Sequence, residues 1–132
     1  MNYFEELELL LDASFAPYSG FNVASIVVTQ KGKIFKGVNV ESVAYPTTIC
    51  AERNAIFSAV TQGVKAGDIN EVHILARNDE NSFISAFPCG SCRQVIAEQS
   101  LNNAMVYVYS SPTDISKHSI SSLLPHAFFS LT

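Results

Sequence analysis

Apolar residues Phe4, Leu7, Leu11 and Phe15 recur at helical spacing with Glu5, Glu6 and Glu8 between them, which predicts an amphipathic helix over residues 2–15. Ala16-Pro17-Tyr18-Ser19-Gly20 closes it. The period then changes. Phe21 to Thr29 is rich in Val and Ile, Lys31-Gly32-Lys33 turns the chain, and Ile34 to Val38 returns it as a β-hairpin. Beyond Asn39 to Ile49 a helix is predicted from Cys50 to about Gln62, stopped by Gly63. Val72 to Ala76 reads as a short buried strand before a polar loop from Asn78 to Ser82. A helix follows from near Cys89 to about Gln99, then a strand from Ala104 to Tyr109, then a short helix from Ile120 to Leu124 ahead of Pro125. The order αββαβαβα predicts a sheet covered by helices, an α/β layered fold.

Composition narrows the class. A chain of 132 residues with no repeat, low-complexity tract or linker reads as one domain, residues 1–132. Hydrophobic residues make up 48% and charged residues 15%, a folded composition that also suggests apolar surface buried between subunits. Twelve acidic against eight basic residues leave a net charge of -4. Binding to polynucleotides is driven by neutralising phosphates, so no nucleic-acid partner is expected. The acidic start, Met1-Asn2-Tyr3-Phe4-Glu5-Glu6, lacks the basic lead and apolar core of a signal peptide, and no apolar run reaches membrane-spanning length. A cytoplasmic protein without a membrane partner is the expectation.

Three cysteines, an odd number, point away from a disulfide framework. They fall in two motifs, Cys50-Ala51-Glu52-Arg53 and Pro88-Cys89-Gly90-Ser91-Cys92-Arg93-Gln94, each at a predicted helix start. Catalytic zinc sites use three protein ligands and leave the fourth position to water. Cys50, Cys89 and Cys92 read as such an open set. Zinc with three thiolates is formally negative, which weakens its hold on the proton chemistry of water. The two helix N-termini offset this, and Arg53 and Arg93 are candidates for compensating the thiolate charge. Glu52, two residues past a ligand, is within reach of a metal-activated water as general acid and base.

These motifs together resemble the small cytidine deaminases, the zinc-dependent type with three cysteine ligands. Ala16-Pro17-Tyr18-Ser19-Gly20-Phe21-Asn22-Val23, Gly37-Val38-Asn39-Val40-Glu41 and Leu123-Leu124-Pro125-His126-Ala127-Phe128 resemble further segments of that family, so the likeness runs almost end to end. It implies a three-layer α/β/α sandwich with a central mixed β-sheet and one Zn2+ per subunit. It implies hydrolysis of cytidine and deoxycytidine to uridine and deoxyuridine with loss of ammonia, the zinc activating water and Glu52 moving protons. Asn39 and Glu41 would then hold the ribose 3′-hydroxyl, Phe21 would pack on the pyrimidine and Val23 would line its edge. The Ala51 N–H would hold O2, and Phe128 of a neighbouring subunit would cover the ring. The family also implies a homotetramer serving pyrimidine salvage. Val23-Ala24-Ser25 stands where the family usually has Val-Gly-Ala, and Ser42-Val43-Ala44-Tyr45 where it has Asn-Ala-Ser-Tyr. Both stretches are expected near the substrate.

Other readings remain open at this level. Arg53 and Arg93 suit surface or intersubunit ion pairs, Asn39 and Glu41 suit a turn, and Phe21 and Phe128 suit a core. Tyr18 and Tyr45 suit a subunit contact, and His73, His118 and His126 carry no assignment. Deamination of another aminopyrimidine nucleoside is the nearest alternative activity. A structural zinc module is the alternative from another class, and would need a fourth ligand.

Overall fold

The computed structural model describes residues 2–128 and 130–132. Helix α1 spans Phe4–Leu11, and strands β1 (Asn22–Thr29) and β2 (Ile34–Val38) form the hairpin. A 3-10 turn at Tyr45–Thr47 leads into α2 (Ala51–Thr61). Then come β3 (Ile69–Arg77), the two-residue β4 (Phe83–Ile84), α3 (Gly90–Gln99), β5 (Met105–Tyr109), β6 (Ile115–Ser119) and α4 (Ile120–Leu123).

The sheet runs β2-β1-β3-β5-β6, with β4 paired to the end of β3. Strands β3 and β5 are parallel, and the other pairs are antiparallel. The parallel pair needs a long crossover, and α3 supplies it. Alternation along β1 divides the core. Ala24, Ile26 and Val28 pack with Phe4, Leu7 and Leu11 of α1, whereas Val27 packs with Ala55, Ile56 and Ala59 of α2 and with Ile96 of α3. The result is the three-layer α/β/α sandwich with a central mixed sheet that the resemblance implied. Strand β3 has neighbours on both sides and a helix layer on both faces, so Val72 to Ala76 is buried throughout and carries no polar alternation.

Three details differ from the sequence reading. Helix α1 ends at Leu11, four residues short of Phe15, which is half exposed. Pro17 disfavours helical backbone at Ala16, and the Phe15 main chain pairs instead with the chain after β2. Its N–H donates to Asn39 at 3.1 Å, and its carbonyl accepts from Glu41 at 2.8 Å. That ladder holds two candidate site residues in place. Strand β6 escapes prediction because Ile115-Ser116-Lys117-His118-Ser119 offers one apolar side chain; its partner β5 defines it. Strand β4 is too short for any periodicity.

Helix α2 lies almost directly on β2. A Cβ on Gly37 would sit 2.5 Å from the Ala51 carbonyl and 2.4 Å from the Ala55 nitrogen. Only glycine admits the first turn of α2 at this depth. Asn54 adds a tie, donating from Nδ2 to the Val38 carbonyl at 3.0 Å.

Candidate metal centre and active site

Cys50 is the N-cap of α2 and Cys89 the N-cap of α3, each with extended backbone and neither capping its own helix. Both thiols are thereby released toward the gap between the helix starts. Cys92, one turn into α3, is fully buried and turns to the same point. The three Sγ atoms lie within 4.8 Å of one another, and Cys50 and Cys89 are 3.8 Å apart. Thiolates about 2.3 Å from one tetrahedral ion stand about 3.8 Å apart, so the spacing fits a single zinc. Among the described residues no His, Asp or Glu joins the cluster, which leaves the fourth position for water.

Cys50 and Cys92 differ in acidity. Cys50 is pulled down to about 5, first by the Cys92 thiol hydrogen-bonding to it, with Arg53 and Cys89 adding to the effect. Cys92 is pushed up as the donor of that pair and by burial. Arg53 Nη2 donates to Cys50 Sγ at 3.3 Å, which makes its guanidinium still harder to deprotonate. Glu52 is 5% exposed, and burial, with the Cys50 charge adding, raises its carboxyl to about 7. A carboxyl at that value both accepts and returns a proton near neutral pH.

Arg93 departs from its expected place. Its Nε donates to the Pro88 carbonyl at 2.7 Å and its Nη1 to the Leu123 carbonyl at 2.8 Å. Cys89 and Cys92 are three apart and share a helix face, whereas Arg93 is one step further round, about 100° away. Its guanidinium therefore ties the cysteine loop to α4 instead of bonding a thiolate.

A cavity of about 230 Å³ opens beside the cysteines. Cys50, Ala51 and Glu52 border it from α2, and Cys89 from the start of α3. Val23 of β1 and Ile74 of β3 form its floor on the sheet, and Phe21 and Asn39 also line it. Thr48, Ile49, Ala86 and Phe87 complete the wall, and the sequence reading assigned none of these four. The available signal was position alone: two of them precede Cys50 and two precede Pro88-Cys89. Thr48 also borders a second depression, of about 290 Å³, with Glu41, Ser42, Tyr45, Tyr18 and Ser19.

Asn39 is buried and largely committed. Its Oδ1 accepts from the Ser14 hydroxyl and, at 2.9 Å, from the Val23 N–H, while its Nδ2 donates to the Phe21 carbonyl at 2.8 Å. Glu41 accepts from the N–H groups of Tyr18 and Ser19 at 3.0 and 3.2 Å and from the Ser19 hydroxyl, which lowers its carboxyl pKa. Phe128 is 66% exposed and does not border the cavity of its own chain. Ala24 lies on the α1 face of the sheet in extended backbone, away from the cavity. Ser25 is on the α2 face, since it pairs with Gly37 and with Ile74 of the cavity floor.

A family model for the cytidine and deoxycytidylate deaminase zinc-binding region matches residues 2–109. The chain belongs to that family. A cytidine deaminase of Sporosarcina psychrophila is 38% identical over 117 residues, covering 89% of this chain and 82% of its own. One from Halalkalibacterium halodurans is 35% identical over 117 residues, covering 89% and 84%. The crystal structure of cytidine deaminase from Burkholderia pseudomallei superposes with a TM-score of 0.84 at 35% identity, covering 94% of both chains. Family membership and sulfur geometry agree on a zinc site. An open three-ligand shell is unlike the closed four-ligand shell of a structural zinc module.

Proposed function

We propose that the protein hydrolyses the C4 amine of cytidine and deoxycytidine, giving uridine or deoxyuridine and ammonia. The observation that carries this is Glu52, a buried carboxyl raised to about 7, set between the three-cysteine cluster and a cavity floored by Val23 and Ile74. Zinc held by Cys50, Cys89 and Cys92 supplies Lewis-acid activation of water. Glu52 takes the proton released as water is activated and hands it to ring N3, which makes C4 electrophilic. The water oxygen then adds to C4, Glu52 takes the proton of the resulting C4 hydroxyl and delivers it to the amine, and ammonia leaves as the C4 oxygen becomes a carbonyl. The Ala51 N–H, at the first position of α2 and without an intrahelical partner, faces O2 of the base. Arg53 adds to the hydrogen bond from Cys92 in favouring the Cys50 thiolate.

Asn39 and Glu41 suit a sugar hydroxyl. Asn39 Nδ2 has one N–H left after Phe21, and the Glu41 carboxylate can only accept. A hydroxyl placed between them would accept from the first and donate to the second.

The function includes a subunit assembly. Tyr45, Phe57, Val60 and Phe128 are large apolar residues 74%, 45%, 44% and 66% exposed. Packing against further copies would cover them and bring a neighbour's Phe128 over the ring, in a homotetramer. A role in cytoplasmic pyrimidine salvage follows from the reaction. Among the described residues no helix is long and apolar enough to cross a membrane.

The test is zinc-loaded protein mixed with cytidine, followed by the ultraviolet change on conversion to uridine. Steady conversion that stops on chelation supports the reading. A folded, zinc-bound sample that converts neither cytidine nor deoxycytidine overturns it. Sedimentation mass checks the assembly, and a monomer at micromolar concentration removes that part.

A further inference from the structure

Phe87 stands immediately before Pro88-Cys89 and lines the cavity from the segment that enters α3. We propose that Phe87, braced by His118, sets the substrate range of the site by closing on the C5 edge of the pyrimidine. The inference rests on the cytidine-deaminating reading above.

The cavity fixes which edge of the ring faces which wall. Its floor is Val23 of β1 and Ile74 of β3, which lie on adjacent strands. Ala51 and Glu52 line it from the first turn of α2, and Ala86 and Phe87 from the segment that enters α3. Protonation of N3 by Glu52 and the contact of O2 with the Ala51 N–H both turn the N3 edge toward α2. On a pyrimidine, C5 lies on the other side of C4 from N3. With C4 at the cysteines, the C5 edge therefore turns away from α2, and the lining outside α2 that adjoins Cys89 in the chain is Ala86 and Phe87.

Phe87 is 43% exposed but has a bracing partner. Its ring meets the His118 imidazole edge-on, with centroids 4.9 Å apart and planes at 62°. His118 is opposite Val106 in the β5–β6 ladder, on the face that carries the core under α3. Its Nε2 is hydrogen-bonded to Ser116 Oγ at 3.0 Å, which fixes the imidazole. Strand β6 thus contacts the ring of a residue that also borders the cavity. A wall held by such a neighbour yields less to a bulky substituent than a free side chain would.

The experiment compares kcat/KM for 5-iodocytidine and 5-methylcytidine with that for cytidine in the zinc-loaded protein. Removing a wall that excludes one substituent changes discrimination by about tenfold or more, so Phe87→Ala should raise the iodo-to-plain ratio by that factor and the methyl ratio by less. Phe87→Leu should fall between, and serves if the alanine variant does not fold. His118→Ala should relax the iodo ratio in part, and His118→Phe should restore it, because an aromatic edge is what Phe87 needs. Dissociation constants in the Glu52→Ala background should show the same order, independently of turnover. Unchanged ratios in variants that still deaminate cytidine would overturn the role of Phe87 and leave the reaction standing. A wild type that neither converts nor binds cytidine would overturn both.

Discussion

Arg53 and Cys50 are bonded across the first turn of α2, with Nη2 3.3 Å from Sγ, and this bond adds to the pull of the Cys92 thiol that lowers the Cys50 pKa. Arg53 is three residues after the N-cap, on the same helix face as the sulfur, whereas Arg93 is turned away. Changing Arg53 to Gln removes the charge and keeps much of the volume. The variant should bind zinc about tenfold or more weakly and lose turnover in similar measure, as groups behind metal ligands usually do. Zinc competition with a chromogenic chelator reads the first, and the cytidine assay the second. Arg93→Gln, by contrast, should loosen the Pro88 and Leu123 segments and lower stability before it changes zinc affinity.

Glu52 makes a separate prediction. Its carboxyl is not among the metal-spaced groups, so Glu52→Ala should retain zinc while turnover falls by about a hundredfold or more. Zinc content by atomic absorption beside the ultraviolet assay separates the two. Zinc loss in step with activity would make Glu52 a ligand in effect and end its assignment as proton carrier.

Legibility from sequence followed the physics of each signal. The three-cysteine cluster was readable because a metal demands several donors in fixed relation, and that demand leaves a motif. Phe87, Ile74 and Thr48 were not, because a cavity wall is made by elements distant in sequence and imposes only shape. Arg93 misled because adjacency to Cys92 in sequence is a turn of about 100° on a helix. Ala24 misled similarly, since neighbours in a strand face opposite sides of the sheet. Helices α2 and α3 were found almost to the residue, whereas β6 needed β5 to exist.

Gly37 carries the close approach on which the site depends. A methyl there meets two backbone atoms of α2 that have no rotamer with which to yield. Gly37→Ala should cost roughly 1–3 kcal/mol of stability, the usual range for overpacking. It should also push the first turn of α2 outward, carrying Cys50 and Glu52 with it. Urea denaturation and zinc affinity test this together; a variant with both intact would mean that α2 shifts without moving its ligand.

His73 predicts how stability depends on pH. Its ring is 1% exposed and sits on the α1 face of the sheet, away from the zinc site. Glu71, 2.8 Å from Nε2, accepts as a carboxylate, so Nε2 carries the proton. Nδ1 then accepts from the Tyr109 hydroxyl at 2.8 Å, whose oxygen accepts the Tyr3 N–H at 3.2 Å. The chain is complete with a neutral imidazole. Burial lowers the His73 pKa and outweighs the pull of Glu71. In the unfolded chain histidine titrates at about 6.5, so below that pH the unfolded state takes up a proton that the fold refuses. Stability should therefore fall as pH drops from about 6.5 toward the lower folded value, and this contribution should be flat above it. Acid also strips zinc from thiolates, so the comparison must be with His73→Gln at matched zinc. The variant will be less stable at every pH, but its urea midpoint should fall less steeply as pH drops below about 6.5. Equal slopes in the two proteins would mean that His73 gains its proton as readily in the fold as outside it.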